Sequence, residues 1–385
     1  MADSLKTFFS PALVRRLAAD IARVHAPFPV EAFVVQATRG LTRLELLDRG
    51  RHITRALVAH LPASYPKAVA VLLRSLGPEH ASDELLGLGM APFFYLPHTM
   101  FVAEHGLDHY DVSMRAQYAL TKRFSAEASI RPYIARFPEQ TFETLATWAT
   151  DANPHVRRLV SEGTRLRLPW ATRVPWLDAH PERVLALLER LKDDPASVVR
   201  RSVANNLNDL SKVHPALLMR TCAAWLTNAS AERRALVEHA LRGAVKRGSP
   251  EALGLLGFGR KAAVSVDTVS LSPARVAIGR RVSIAFTLHS RSRTAQALLV
   301  DLAVHFVKAN GQSAPKVFKL TRLTLPAGGH ESFTTSVSLA VHTTRKPYPG
   351  RHGVDVVVNG QAMPIGAFVV TPASPASAPR PRGGR

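Results

Sequence analysis

The sequence predicts a protein of two domains, an all-α repeat solenoid followed by an all-β sandwich. The chain has 385 residues, which is too long for one ordinary domain. Apolar residues recur at spacings of three and four over roughly the first 260 positions, as amphipathic helices require. From Ala262 onward the pattern changes to short alternating stretches separated by turn residues, which is typical of strands.

The net charge of the chain restricts the kinds of partner that it is expected to bind. It carries 50 Lys and Arg against 29 Asp and Glu, a formal net charge of +21 with His neutral. Such an excess favours a polyanion, either nucleic acid or an anionic membrane surface. No run of about 18 apolar residues occurs and the N-terminus lacks an apolar core, so we expect neither a membrane span nor a signal peptide. The sequence has no phosphate-binding loop, nucleophile elbow or convincing metal motif, so we expect no cofactor and no metal.

The helical part contains an internal repeat. PEQTFETLATWATDANPHVRRLV begins at Pro138, and PERVLALLERLKDDPASVVRRSV begins at Pro181, an offset of 43 residues. A looser third copy, HPALLMRTCAAWLTNASAERRALV, begins at His214. Two-helix units that repeat at about 40–47 residues are typical of HEAT-like solenoids, which present one concave face. We therefore expect a HEAT-like repeat domain over residues 1–260.

An arginine pair recurs at the start of the second helix of each copy, as Arg157-Arg158, Arg200-Arg201 and Arg233-Arg234. One interpretation is a concave face that is basic along its length and binds a phosphate backbone, with Arg157 and Arg201 among the binding residues. The other is that Val-Arg-Arg merely suits a helix start that faces its neighbours. The repeat alone leaves both interpretations open.

The second domain is expected over residues 262–371. About seven strand-like stretches cover roughly 110 residues there, which is the size of an immunoglobulin-like sandwich. Cys222 is the one cysteine of the chain, so the sandwich is expected to be disulfide-free and the compartment reducing. Residues 372–385 are basic and rich in Pro, Ala and Ser, and we expect a disordered tail.

Two acids and one aromatic residue are candidates for chemistry. Glu127 lies in LTKRFSAEASIRPYI, among basic residues. Asp209 shares a helix face with Arg201 and Asn205, in a helix with an unusual density of Asn. Trp170 follows a proline just beyond four arginines, and its ring is a candidate to stack on a base or a sugar. The alternatives are an ion pair for each acid and a core position for Trp170.

Two stretches carry a specific resemblance. WATDANPHVRRLVSEGTRLRLPW and VVRRSVANNLNDLSKVHP resemble the AlkC family of bacterial alkylpurine DNA glycosylases, which are HEAT-like relatives of AlkD. The strand region with KANGQSAPKVFK resembles the immunoglobulin-like domain of one AlkC subgroup. The resemblance implies base excision repair of alkylation damage, in which N-alkylated bases, chiefly 3-methyladenine, are released from double-stranded DNA without base flipping.

The resemblance also implies roles for individual residues. Glu127 and Asp209 match two catalytic carboxylates placed against the deoxyribose, and Trp170 matches an aromatic residue beside the lesion. Arg158 and Arg165 match residues that contact DNA. Leu166 stands where the family usually has proline, and this departure is expected to alter the loop that carries Arg165.

The sandwich is expected to clasp the DNA from the other side. Charge and turn position favour the loops near Asn310-Gly311 and Arg345-Lys346 for this contact. We expect a monomer that acts in the cytoplasm, on the nucleoid, with double-stranded DNA containing alkylated bases as its partner. The alternative is a non-catalytic HEAT-repeat protein that recognises DNA structure, since a solenoid is also a general interaction scaffold. Such a binder needs the arginines but not the two acids, which repel phosphate.

Overall fold

The computed structural model describes residues 5–80, 91–259, 261–341 and 346–373. It divides into two compact units, Met1–Leu241 and Arg242–Arg385. The division comes before the expected domain boundary near residue 260. The expected disordered tail lies outside the described residues from position 374 onward, and so does Arg345 of the second expected loop.

The first unit is built from helices throughout its described residues. Short 3₁₀ helices occur at Leu5–Phe8, Leu41–Arg43 and Ala91–Tyr95. The α-helices are α1 (Pro11–Val24), α2 (Val30–Thr38), α3 (Leu46–His60), α4 (Tyr65–Arg74), α5 (Leu96–His105), α6 (Tyr110–Thr121), α7 (Arg131–Arg136), α8 (Pro138–Trp148), α9 (Pro154–Gly163), α10 (Pro175–Ala179), α11 (Pro181–Leu191), α12 (Ser197–Leu210) and α13 (Pro215–Leu226), and α14 (Ala231–Lys246) runs through the point of division. Within the described ranges, no single helix is long and apolar enough to cross a membrane. Only α3 and α4 taken together reach the length and apolar composition of a membrane span, and they are bent by 115° relative to each other.

The internal repeat is confirmed as a repeat of helix pairs. Its copies form α8 with α9, α11 with α12, and α13 with α14. A proline opens α8, α9, α11 and α13, where its missing N–H has no intrahelical partner to lose. Neighbouring copies are joined through equivalent helices, since Arg183 of α11 pairs with Glu139 of α8 at 2.7 Å. The predicted fold class, a helical repeat domain followed by a β-sandwich, is therefore confirmed.

The second unit holds α15 (Pro250–Leu255) and a β-sandwich. Its strands are β1 (Val264–Ser272), β2 (Arg275–Ala277), β3 (Arg281–Ser290), β4 (Gln296–Val307), β5 (Ser313–Leu325), β6 (His330–Ser338), β7 (Gly350–Val358) and β8 (Gln361–Thr371). In the described part of the chain, one sheet has the order β1-β3-β6 and the other the order β2-β8-β7-β4-β5. The strand that the sequence pattern missed is β2, because three residues are too few to show alternation.

The sandwich core lies between the two sheets. Phe286 and Leu288 of β3 meet Leu302 of β4 and Phe368 of β8, and all four are at most 1% exposed. A smaller cluster joins Leu253 of α15 and Phe258 to Leu299 of β4. α15 and the segment that follows it therefore pack with the strands, which explains why the division falls ahead of α15.

Candidate active site

A pocket of about 370 Å³ in the first unit brings together three of the predicted site residues. Glu127, Arg158 and Trp170 all line it. Its remaining walls are largely apolar and come from α3, α5, the 3₁₀ helix before α5, the segment after α6 and the loop after α9. The lining residues include Leu47, Phe93, Leu96, Met100, Phe124 and Leu168. A carboxylate, a guanidinium and an indole ring therefore share one concave surface.

Trp170 projects from the loop that follows α9. Its side chain is 70% exposed, which contradicts the alternative of a core position. Leu166 and Leu168 of the same loop are 1% and 7% exposed and anchor it from below. The backbone of Trp170 has a φ of 63°, in the left-handed region that bulky residues rarely adopt. The loop thus displays an aromatic ring at the mouth of the pocket.

Glu127 is held at one of its two carboxylate oxygens. The Ser125 hydroxyl donates to Oε2 at 2.8 Å, and Arg158 Nη2 donates to the same atom at 3.1 Å. Among the described residues, no donor contacts Oε1. The side chain is 29% exposed. This leaves one carboxylate oxygen of Glu127 available to a ligand in the pocket.

A chain of ion pairs connects Glu127 to Asp209. Arg158 Nη2 lies 3.1 Å from Glu127 and 3.8 Å from Oε1 of Glu162. Arg165 Nη1 lies 3.2 Å from Glu162, and its Nε lies 2.9 Å from Oδ2 of Asp209. Glu162 thereby contacts both Arg158 and Arg165. The ion pairs expected as the alternative for each acid are present as well.

Asp209 does not line the pocket. Its side chain is 4% exposed, and it accepts hydrogen bonds from Nε and Nη2 of Arg165 at 2.9 and 3.3 Å. Oδ2 also accepts from the backbone N of Arg167 at 3.3 Å. Burial opposes the charge on Arg165, but its hydrogen bond with Asp209 and the charges of Glu162 and Asp209 outweigh burial, so its pKa is raised. In this structure Asp209 fixes the loop after α9.

The other predicted DNA-binding residues are spread over both units. Arg157 is 12% exposed and forms a bidentate pair with Asp194, with Nε at 2.6 Å, so it fits the helix-start interpretation better than a free phosphate ligand. Arg200, its equivalent in the next copy, likewise donates to backbone carbonyls just before α12. Arg201 is exposed, and no described residue pairs with it. Asn310 and Gly311 form an exposed turn between β4 and β5, in which Gly311 has a φ of 77°.

Arg131, the arginine of the stretch LTKRFSAEASIRPYI that follows Glu127 by four residues, has a role beside the pocket that the sequence interpretation missed. Its side chain is buried and donates to the backbone carbonyls of Gly163, Arg165 and Thr172 at 2.9, 2.9 and 2.8 Å. Burial lowers its pKa to about 10, so it stays charged at neutral pH. The sequence gives no signal for this role, because backbone acceptors leave no motif.

Comparisons with known proteins define the class of this chain. The model of the family described as "DNA alkylation repair enzyme" matches residues 123–247, which include the pocket residues Glu127, Arg158 and Trp170. The model of the C-terminal Ig-like domain of protein YhaZ matches residues 265–372. A DNA alkylation repair enzyme domain is thus followed by an Ig-like domain.

Two relatives extend these matches to nearly the whole chain. "Uncharacterized protein YhaZ" of Bacillus subtilis is 33% identical over 362 residues, which cover 94% of this chain and 97% of the relative. The structure of Pseudomonas fluorescens alkylpurine DNA glycosylase AlkC, bound to DNA containing an abasic site analog, is 34% identical with a TM-score of 0.88. That similarity covers 96% of this chain and all of AlkC. The chain belongs to the AlkC family of DNA alkylation repair proteins, with the C-terminal Ig-like domain of YhaZ.

Proposed function

We propose that this protein is a DNA glycosylase that hydrolyses the N-glycosidic bond of cationic N-alkylated bases, chiefly 3-methyladenine, in double-stranded DNA. The observation that carries the proposal is the pocket that places the Glu127 carboxylate beside the exposed ring of Trp170. Family membership supports it. So does the similarity to AlkC, whose complex contains an analog of the abasic site that base release leaves behind.

The proposed chemistry needs little from the protein, because a cationic alkylated base is already a good leaving group. Its departure as a neutral base leaves an oxocarbenium-like sugar, as in glycoside hydrolysis. Glu127 stabilises that cation through the oxygen that no described donor contacts, in a mostly apolar pocket that strengthens the attraction. Water then adds to C1′ and gives its proton to the carboxylate or to solvent. Neutral bases leave poorly, so the enzyme spares them.

We propose that DNA rearranges the ion pairs seen in the unbound protein. Arg158 and Arg165 each neutralise an acid, and phosphate oxygens compete for the same guanidinium groups. Transfer of Arg158 to the backbone leaves Glu127 free to face the sugar. The same transfer of Arg165 exposes Asp209, which then acts as the second carboxylate. The two arginines thus pair with the acids in the unbound protein and with phosphates in the proposed complex with DNA.

We propose excision without flipping of the nucleotide. Enzymes that flip a base read its Watson–Crick edge with hydrogen bonds in a tight pocket. Here the pocket walls are largely apolar, and its charged lining includes the paired Glu127 and Arg158. Trp170, in contrast, is open to a nucleotide at the surface of a duplex. The protein is proposed to act as a monomer in the cytoplasm, with the Asn310-Gly311 turn of the Ig-like domain on the DNA backbone.

The experiment is base release from duplex DNA carrying N-methylated adenines, with the released bases identified by chromatography. A glycosylase yields free 3-methyladenine and abasic sites in equal amounts. The alternative, a binder of DNA structure, is favoured by one observation, the ion pairs that occupy both acids. Tight DNA binding without any released base would establish that alternative and overturn the enzymatic proposal.

A further inference from the structure

We propose that Arg131 is a positioning residue that fixes Trp170 relative to Glu127 across the pocket. The expected effect of Arg131 on base release rests on the proposed function. The expected effect of Arg131 on the position of the Trp170 ring does not. Arg131 does not line the pocket, so it acts through the loop that follows α9.

One guanidinium ties both arms of this loop. Arg131 Nη1 donates to the carbonyls of Gly163 and Arg165, each at 2.9 Å, on the side that precedes Trp170. Its Nε donates to the carbonyl of Thr172 at 2.8 Å, on the side that follows. The two ends of a ten-residue segment are thereby bonded to a single rigid plane, with Trp170 between them.

The conformation of Trp170 needs such a restraint. A bulky residue with a φ of 63° is strained and persists only where its surroundings determine the backbone. The side chain of Trp170 is 70% exposed, so its own packing supplies little of that restraint. The bonds from Arg131 hold the backbone on either side, and without them the loop can relax and carry the ring away.

Arg131 also links this loop to the segment that carries Glu127. The backbone N of Ile130 donates to the carbonyl of Ala126 at 3.0 Å, and Arg131 opens α7 directly after this turn. The two segments touch at Gly163, where an added Cβ would lie 2.6 Å from Cγ2 of Ile130. A short, hydrogen-bonded turn therefore separates the carboxylate from the guanidinium that places the indole ring.

Lysine cannot replace arginine in this role. The guanidinium is a planar fork with five donors, and here three carbonyls accept from two of its nitrogens in fixed directions. An ammonium group on a flexible stem can keep the charge near Asp209 but cannot meet all three acceptors. The substitution Arg131→Lys thus keeps the positive charge of the side chain and removes the fixed directions of its hydrogen bonds.

The first test is ¹⁹F NMR of protein labelled with 5-fluorotryptophan. The chain has four tryptophans, and Trp170→Phe assigns the resonance of Trp170. Arg131→Lys is expected to shift and broaden that resonance and to leave the other three unchanged. The matched control is Arg49→Lys, because Arg49 is also buried and donates to backbone carbonyls, those of Lys6, Phe9, Thr42 and Leu44, and it is expected to leave the Trp170 signal as it is. An unshifted Trp170 signal in Arg131→Lys would overturn the proposal.

A double-mutant cycle provides the functional test. Arg131→Lys is expected to lower the single-turnover rate of base release by about 10–100-fold, with DNA affinity changed by less than about threefold. In the Trp170→Ala background the same substitution is expected to cost less than about threefold, because its effect passes through Trp170. Effects that multiply fully would overturn the proposal. If the wild type releases no base, the proposed function fails, and the ¹⁹F result still decides the place of Trp170.

A second variant and a measurement on the wild type keep the proposal testable if Arg131→Lys does not fold. Arg131→Gln keeps a planar amide that reaches one carbonyl, and an intermediate shift of the Trp170 resonance is expected. In wild-type protein labelled with ¹⁵N-arginine, the Nε–H of Arg131 is expected to exchange slowly with water at neutral pH. Fast exchange of every arginine Nε–H would contradict a buried Arg131 Nε–H that donates to the carbonyl of Thr172, even if neither variant folds.

Discussion

Arg158 is hydrogen-bonded to Glu127, with 3.1 Å between Nη2 and Oε2. Both residues are proposed to meet DNA, the arginine at a phosphate and the carboxylate at a sugar, so binding has to separate them. On this proposal, DNA binding exchanges the partly buried ion pair for a charge-assisted contact between Arg158 and phosphate. In the structure Arg158 pairs with the Glu127 carboxylate, and on the proposal this pair persists until a phosphate binds the guanidinium.

The first prediction concerns the salt dependence of DNA binding. Arg158→Gln is expected to weaken binding and to reduce the slope of log K against log salt concentration by about 1, because one phosphate contact is lost. The measurement is a fluorescence titration of duplex DNA at several salt concentrations. Arg183→Gln removes an exposed arginine that pairs with Glu139 and should leave the slope unchanged. Equal slopes for Arg158→Gln and wild type would place Arg158 away from the backbone.

The second prediction separates the function of Trp170 from stability. Trp170→Ala is expected to lower the rate of base release by about 5–150-fold, which corresponds to the loss of about 1–3 kcal/mol of stacking. Its melting temperature should match that of the wild type, because the ring is 70% exposed. Trp225 is 4% exposed, and Trp225→Ala should instead lower the melting temperature markedly. A Trp170→Ala protein with full activity would remove the ring from the mechanism.

The third prediction concerns close packing beneath the pocket helices. A Cβ at Gly106 would collide with the hydroxyl groups of Tyr65, Ser113 and Tyr133. Gly106→Ala is therefore expected to lower the free energy of unfolding by about 1–3 kcal/mol in denaturant titrations. A Cβ added at Gly254 in α15 would have nothing within 4 Å, so Gly254→Ala should be neutral or stabilising. Equal stability of the two variants would contradict the packing around Gly106.

The fourth prediction tests the role of the Ig-like domain. Lys308 is exposed at the turn that contains Asn310 and Gly311, and its backbone N bonds to Gln312. Lys308→Glu is expected to weaken DNA binding about tenfold at low salt, through repulsion from phosphate. Arg281→Glu makes the same change on the other sheet and serves as the control. Unchanged affinity of Lys308→Glu would mean that this turn does not approach DNA.

The helical repeat was predictable because similar residues recur in the sequence at a fixed interval. An offset of 43 residues aligns prolines, acids and arginine pairs of the first two copies, and a proline opens the first helix of each copy, α8, α11 and α13. Glu127 and Trp170 were predictable from motif context, and the pocket brings them together. Their mutual placement depends on backbone contacts of Arg131, which no residue pattern records.

The burial of Asp209 could not be predicted from its spacing along the helix. A spacing of four places Arg201, Asn205 and Asp209 on one side of α12, yet Arg201 is exposed and Asp209 is 3% exposed. The difference arises because the C-terminal half of α12 packs against the end of α9, where Asn206 donates to the carbonyl of Ser161 at 2.8 Å. Which end of a helix is covered depends on its neighbours and not on its own period.

The most direct test of the central claim compares carboxylates that line the same pocket. At saturating enzyme and matched DNA occupancy, Glu127→Gln is expected to release 3-methyladenine about 10²–10³-fold more slowly than the wild type. Glu104→Gln, which alters an exposed acid of the same pocket, should keep the wild-type rate. Asp209→Asn should also be slow if the exchange of Arg165 exposes that acid. Wild-type release by Glu127→Gln would contradict the account, because the proposed stabilisation of the sugar depends on that carboxylate.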